Sequence, residues 1–242
     1  RPRMKKLFLA LGLAICTAGG VWAADIQNAE ALYREGKFAA ALSEYEQLLA
    51  AYPNDPHLYY NIGNCYFKMG STGLAAANYY RAFRLDPRDG DIRHNLSLTL
   101  QNSGERFVPA GMPEVLHKAF FWLRADELKG LLFAALWLFC TLGSVWLVKR
   151  RLGRTAVAAL AVLAVLGVWY AWRSKIEKAP LAVVAAPVAE LRSGPGSNFP
   201  ASASVAQGHL LLLQDSKDDW YDVVVKSEGL QGWIQAQALE KI

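Results

Sequence analysis

Two apolar runs separated by six residues, four of them basic, constrain this chain more than any other feature. Leu128 to Val148 carries one charge, Lys129, in 21 residues, and Thr155 to Trp172 carries none in 18. An α-helix rises about 1.5 Å per residue and a hydrocarbon layer is about 30 Å thick, so either run is long enough to span it. Lys149, Arg150, Arg151 and Arg154 lie between the runs without an acid, and loops of that charge stay on the cytoplasmic side. The expected element is a two-helix transmembrane hairpin: residues 128–148, a cytoplasmic loop at 149–154, and residues 155–172. Both flanking parts of the chain then face the opposite compartment. Phe120, Phe121 and Trp122 precede the first run and Trp169, Tyr170 and Trp172 end the second, where interfacial rings belong. The alternative, two buried helices of a soluble protein, fits poorly, because such helices seldom run this long without a polar face.

The formal charge of +5 invites a nucleic-acid reading, so the location of the charge matters. Arg1, Arg3, Lys5 and Lys6 supply four positives, and residues 127–178 supply eight against Glu127 and Glu177. Residues 24–104 hold seven basic against nine acidic side chains, and residues 179–242 hold four against seven. The excess thus sits in a leader and a membrane hairpin, which argues against DNA or RNA as partner. Cys16, Cys65 and Cys140 are too few and too scattered for a disulfide framework, and Cys65 reads as a small core residue. His57, His94, His117 and His209 lack ligand spacing, so no metal or cofactor is expected.

From Met4 the chain shows Lys5-Lys6, an apolar run to Ile15, Gly19-Gly20 and Val21-Trp22-Ala23-Ala24. This is the pattern of a secretory signal peptide over residues 1–24. Leu13-Ala14-Ile15-Cys16 is similar to a lipoprotein box, with bulky Ile15 where a small residue belongs.

Residues 25–102 repeat. Gly36, Phe38, Ala41, Tyr45, Leu48 and Pro53 return 34 positions later as Gly70, Thr72, Ala75, Tyr79, Ala82 and Pro87. Leu42, Tyr45, Leu48 and Leu49 keep helical spacing, as do Ala75, Tyr79, Ala82 and Phe83, and each proline stops its helix. This stretch resembles the tetratricopeptide repeat, an α-helical solenoid, with Asp91–Gln101 as its capping helix. The resemblance implies that first helices line a concave groove, which places Asn61, Asn64, Lys68 and Asn95 as candidate peptide-binding residues. Asparagine can both donate to and accept from an extended backbone. A solvated helix face is the alternative. The lysines that some such domains use to clamp a terminal carboxylate are replaced by Asp91 and His94.

Residues 103–127 combine a Gly- and Pro-containing linker with an amphipathic stretch, Pro113 to Arg124, expected to lie at the membrane surface. In the first span Gly130, Ala134, Thr141 and Ser144 share one face, a small-residue stripe suited to packing on the second span or on a partner. Residues 173–180 read as an extended connector reaching about 25 Å.

Residues 181–242 change character. Leu181–Ala185, His209–Gln214, Tyr221–Val225 and Gln231–Ile234 are β-prone and divided by turn clusters, so five or six short strands in a small barrel are expected. Leu191-Arg192-Ser193-Gly194-Pro195-Gly196, Gly208, Trp220-Tyr221-Asp222-Val223, Gly232-Trp233-Ile234 and Leu239 resemble the bacterial SH3-like domain. Domains of that kind in envelope proteins often bind peptidoglycan or peptides, which marks Arg192, Asn198, Phe199, Trp220 and Tyr221 as candidate ligand contacts. Trp220 and Trp233 serve equally well as barrel core.

The chain therefore reads as a multi-domain membrane protein: leader, repeat solenoid, hairpin and SH3-like barrel. That order resembles the BatE-type aerotolerance proteins. The resemblance implies von Willebrand A-type membrane partners, a MoxR-like ATPase system, and a role in envelope or oxidative-stress maintenance at the inner membrane. Neither soluble part offers a recognisable catalytic constellation, so a non-enzymatic scaffold is expected, with peptidoglycan anchoring through the barrel as the alternative.

Overall fold

The computed structural model describes residues 26–150 and 153–242, so the signal-peptide reading at 1–24 and the loop residues Arg151 and Leu152 lie outside it. Residues 26–34 form α1, followed by α2 (Phe38–Ala51), α3 (Pro56–Lys68), α4 (Thr72–Leu85) and α5 (Gly90–Asn102). Two starts are fixed by capping. Asp55 accepts the His57 N–H at 2.8 Å with Pro56 as the first helical residue, and Asp89 accepts the N–H groups of Asp91 and Ile92 at 2.8 and 3.0 Å. The capping helix expected at Asp91–Gln101 is α5, and it packs on α4.

One buried cluster, Ala29, Ala41, Tyr45, Leu48, Leu58, Ile62 and Cys65, joins the first repeat to α3. Burial pushes the Cys65 thiol up to about 11, so it stays protonated and inert at neutral pH. Gly63 sets the distance between α3 and α4: a Cβ there would stand 2.7 Å from the Tyr79 ring. Any larger residue would displace the Tyr79 ring from its place between the helices.

Beyond the turn after α5 come α6 (Glu114–Phe120), α7 (Ala125–Lys149) and α8 (Gly153–Glu177). Both α7 and α8 are long and apolar enough to cross a membrane. They pack antiparallel, with the less exposed positions at near-heptad spacing: Leu128, Leu132, Ala135, Phe139 and Leu142 on α7, and Ala156, Ala159, Leu163, Leu166 and Tyr170 on α8. The stripe of Gly130, Ala134, Thr141 and Ser144 is exposed and does not face α8. The small residues that admit the neighbouring helix are Ala156 and Ala159, on the other span.

The connector after the second run is also not extended. Helix α8 continues through Glu177, and Arg173 is only 2% exposed. Its Nε meets Glu177 Oε1 at 2.6 Å, its Nη1 donates to the Phe120 carbonyl at 3.3 Å, and its guanidinium lies 4.2 Å from the centre of the Phe121 ring. A charge can be buried at a helix end only when hydrogen bonds and an opposite charge replace water, and here both do.

The rest is one antiparallel sheet of seven strands: β1 (Leu181–Val184), β2 (Val188–Arg192), β3 (Ala201–Ala206), β4 (Leu210–Lys217), β5 (Trp220–Val225), β6 (Gln231–Gln235) and β7 (Leu239–Lys241). Their spatial order is β3-β2-β6-β5-β4-β1-β7. Lys217 pairs with Trp220, so Asp218 and Asp219 form a two-residue hairpin turn, with Asp218 at φ 52°. The count exceeds the five or six expected from sequence. Strand β3, with the sequence Ala-Ser-Ala-Ser-Val-Ala, has Val205 as its one branched residue and no aromatic, and is held by pairing with β2.

The two soluble parts share a core. Ala182, Val184 and Leu211 point into the sheet's own interior, whereas Val183 and Leu210 join Ala75, Ala76, Ala77, Phe83 and Leu96 of the repeats. Strand β1 and the start of β4 are thus covered on both faces, as their apolar runs require. Close approach depends on Gly73, where a Cβ would stand 2.1 Å from the Val184 carbonyl oxygen. Polar contacts surround this seam: Arg81 bonds Glu240 and the Lys241 carbonyl, and Gln207 Nε2 donates to the Gly70 carbonyl at 3.4 Å.

Candidate functional site: two recognition surfaces and a junction cavity

The β sheet covers the outer side of α4, so the opposite side of the repeats stays open. There a groove of about 260 Å³ is lined by Tyr33 from α1, Tyr60, Asn64, Phe67 and Lys68 from α3, Tyr79 from α4, and Asn95, Leu98 and Thr99 from α5. The three asparagines and the lysine expected there separate. Asn64, Lys68 and Asn95 line the groove, whereas Asn61 does not, and Tyr60 one position earlier takes its place.

A hydrogen-bond network organises the floor. The Tyr79 hydroxyl donates to Asn64 Oδ1 at 2.7 Å, and Asn95 Nδ2 donates to the same oxygen and to the Tyr60 hydroxyl, each at 3.1 Å. Thr99 Oγ1 donates to the Asn95 carbonyl at 2.7 Å. Burial holds the Tyr79 phenol well above its ordinary range, so it remains a donor. Both amide oxygens and nitrogens are thereby oriented. Among the described residues, Asn64 Nδ2 and Asn95 Oδ1 have no hydrogen-bond partner, which leaves one donor and one acceptor group for an incoming chain. The aromatic lining was missed from sequence, although Tyr33 and Phe67 are 34 positions apart and so occupy equivalent places in successive repeats.

On the β domain a cleft of about 810 Å³ is lined by Arg192, Gly196, Ser197, Asn198 and Trp220 with Glu190, Gln235 and Gln237. Of the five residues marked from sequence, Arg192, Asn198 and Trp220 line this cleft and Phe199 and Tyr221 do not. Phe199 lies against Gly194, where a Cβ would come within 2.5 Å of its ring. Tyr221 is engaged outside it: Lys241 Nζ donates to its hydroxyl at 2.6 Å and sits 4.4 Å from its ring centre. Adjacent strand positions point to opposite faces, so Trp220 and Tyr221 could not share one site on a flat strand. Arg192 is also committed locally, because its Nη1 donates to the Ser197 and Phe199 carbonyls at 2.9 and 2.6 Å and its Nη2 pairs with Glu190. It shapes the loop more than it offers charge to a ligand.

The third concavity, about 590 Å³, lies where α4, the turn after α5, α6, the end of α8 and β1 meet. His117 lies at its edge, 4% exposed among Phe83, Phe107 and Phe121. Burial first, then the neighbouring Arg93 charge, pushes its pKa down to about 4. Arg93 Nη2 lies 3.3 Å from His117 Nδ1, and a guanidinium can only donate, so the imidazole is neutral with its proton on Nε2.

Residues 26–90 match the tetratricopeptide repeat family and residues 185–241 match the bacterial SH3 domain family. Both families are typically non-catalytic interaction modules. No curated protein matches the chain. Among solved structures, the translocator chaperone SycD of Yersinia enterocolitica type III secretion is similar at 17% identity and a TM-score of 0.33, over 60% of this chain and 81% of that one. Yeast Tom70 is similar at 14% identity and a TM-score of 0.32, over 75% of this chain and 31% of that one. The chain joins a tetratricopeptide repeat segment and a bacterial SH3 domain to two helices long and apolar enough to cross a membrane.

Proposed function

We propose that the protein is a non-enzymatic membrane-anchored scaffold that holds an extended segment of a partner protein in the repeat groove. The observation that carries this reading is the pair of open amide groups, Asn64 Nδ2 and Asn95 Oδ1, on an aromatic floor with Lys68 at the rim. A peptide backbone offers the matching acceptor and donor. In this reading α7 and α8 form the hairpin with its basic turn in the cytoplasm, and both soluble domains lie outside it, on the periplasmic side of the inner membrane. Because the repeats and the β domain share a core, groove and cleft keep a fixed spacing, and a partner touching both gains effective concentration without linker entropy. The resemblance to BatE-type proteins supports von Willebrand A-type membrane proteins, working with a MoxR-like ATPase in aerotolerance, as partners.

The test uses Leu98, which lines the groove and is 40% exposed. A photo-crosslinking residue at Leu98 should capture a membrane protein in cells, and Lys68→Glu should reduce capture about tenfold, a loss of about 1.4 kcal/mol. Equal capture with a crosslinker at exposed Val188 on the β domain would count against the groove.

A second reading, wall attachment, is favoured by the cleft that gathers Arg192, Asn198 and Trp220. The detergent-solubilised chain should then co-sediment with isolated peptidoglycan, and Trp220→Ala should abolish this. Sedimentation unaffected by that change removes the reading.

A further inference from the structure

The junction cavity, about 590 Å³, falls within the roughly 300–1,000 Å³ of small-molecule sites. Its walls are apolar and drawn from distant parts of the chain, among them Phe83, Phe107, Trp172, Ile176 and Leu181. Arg84 and Lys226 also line it. Among the described residues neither side chain makes a hydrogen bond or an ion pair, nor does the Tyr80 hydroxyl beside them. Arg173, by contrast, is satisfied by Glu177 and the Phe120 carbonyl. With His117 neutral, the lining holds three cations against the one carboxylate of Glu177.

A space of this kind is complementary to an amphiphile with a hydrocarbon tail and an anionic head. Its position identifies the source. Trp172 ends the apolar run of α8, and Ile176 lies one turn further out, so the cavity opens where the headgroup layer would meet the domain. Val115, Leu116 and Trp122 around α6 are exposed on the same side of the hairpin, as a surface resting on lipid requires.

We propose that this cavity takes up an acyl chain of an anionic bilayer phospholipid, whose phosphate pairs with Arg84 and Lys226. The proposal rests on the reading that α7 and α8 cross the membrane. A lipid held there would fix the height of the soluble body above the bilayer and would close the gap between α8, α4 and β1.

The test takes the full chain reconstituted in phosphatidylcholine vesicles containing about one-fifth phosphatidylglycerol, followed by flotation and native mass spectrometry of the detergent-extracted protein. One phosphatidylglycerol should remain bound per chain, in preference to phosphatidylcholine by about tenfold. Lys226→Gln, at an exposed position, should erase the preference, and Ile176→Trp, which fills the cavity mouth, should remove the bound lipid while circular dichroism stays unchanged. Equal retention of the two lipids, retention insensitive to both variants, or displacement of the lipid by inorganic phosphate alone would overturn the assignment. Flotation without retained lipid would overturn it while leaving the membrane reading intact, whereas failure to float would remove both.

Discussion

Glu105 accepts the backbone N–H of Leu210 at 3.2 Å, across 105 positions of sequence, and its Oε1 also lies 3.3 Å from His209 Nδ1. Glu105 is 6% exposed. A residue from the turn after the repeats therefore completes the start of β4 in the other domain, and the two are one folding body as far as this bond is concerned. Glu105→Ala should leave the buried Leu210 N–H without a partner and lower stability by about 1–3 kcal/mol. Glu105→Gln keeps an acceptor oxygen and should cost less. Denaturant titration of both variants checks this, and equal losses would show that the bond to Leu210 is not the main contribution.

Gly73 is the contact point of the two domains. Adding a Cβ 2.1 Å from the Val184 carbonyl oxygen forces separation of α4 from β1, at a cost of about 1–3 kcal/mol. Gly73→Ala should split the melting transition and speed hydrogen exchange at Val183 and Val184. Gly90→Ala, where nothing lies within 4 Å of the added atom, is the control and should leave a single transition.

The His117 cluster should make stability fall in acid. Its folded pKa is about 4 against an ordinary 6.5, so the unfolded chain takes up the proton first as pH falls. The contribution is complete above pH 6.5 and is lost progressively between 6.5 and 4, up to about 3 kcal/mol. His117→Phe, into a site already lined by Phe83, Phe107 and Phe121, should flatten that part of the stability profile measured by denaturation at pH 7 and pH 4.5. An unchanged slope would assign the acid sensitivity to other groups.

Arg192 clamps the loop beside the cleft with a planar fork that lysine cannot reproduce. Arg192→Lys should raise hydrogen exchange at residues 193–199 by about tenfold, equivalent to about 1.4 kcal/mol of local opening, with little change elsewhere. If exchange stays slow, Gly194 packing under Phe199 is what holds the loop.

Much of the architecture was readable from local pattern. A period of 34, helical spacing of the apolar residues and terminating prolines place the repeat helices, because helical spacing and proline termination act within one or two turns of chain. The lengths of the two apolar runs likewise depend only on composition. Strand β3 was not readable, since five of its six residues are Ala or Ser, which carry no strand preference, and pairing with β2 overrides it. Part of the groove was legible: Asn64, Lys68 and Asn95, three of the four residues expected there, line it, whereas Tyr60 in place of Asn61 is a one-position difference on α3 that no spacing rule resolves.

By itself, the amino-acid sequence determined which segments are helical repeats, which are apolar spans and which are sheet, because propensity, periodicity and turn chemistry are short-range effects. Only the tertiary structure decided that the repeats and the sheet share one core. That outcome depends on Gly73 leaving room for Val184, on Val183 and Leu210 finding an apolar partner outside their own sheet, and on Glu105 reaching Leu210. Such contacts join residues more than a hundred positions apart, and their free energy appears only when both surfaces are already formed.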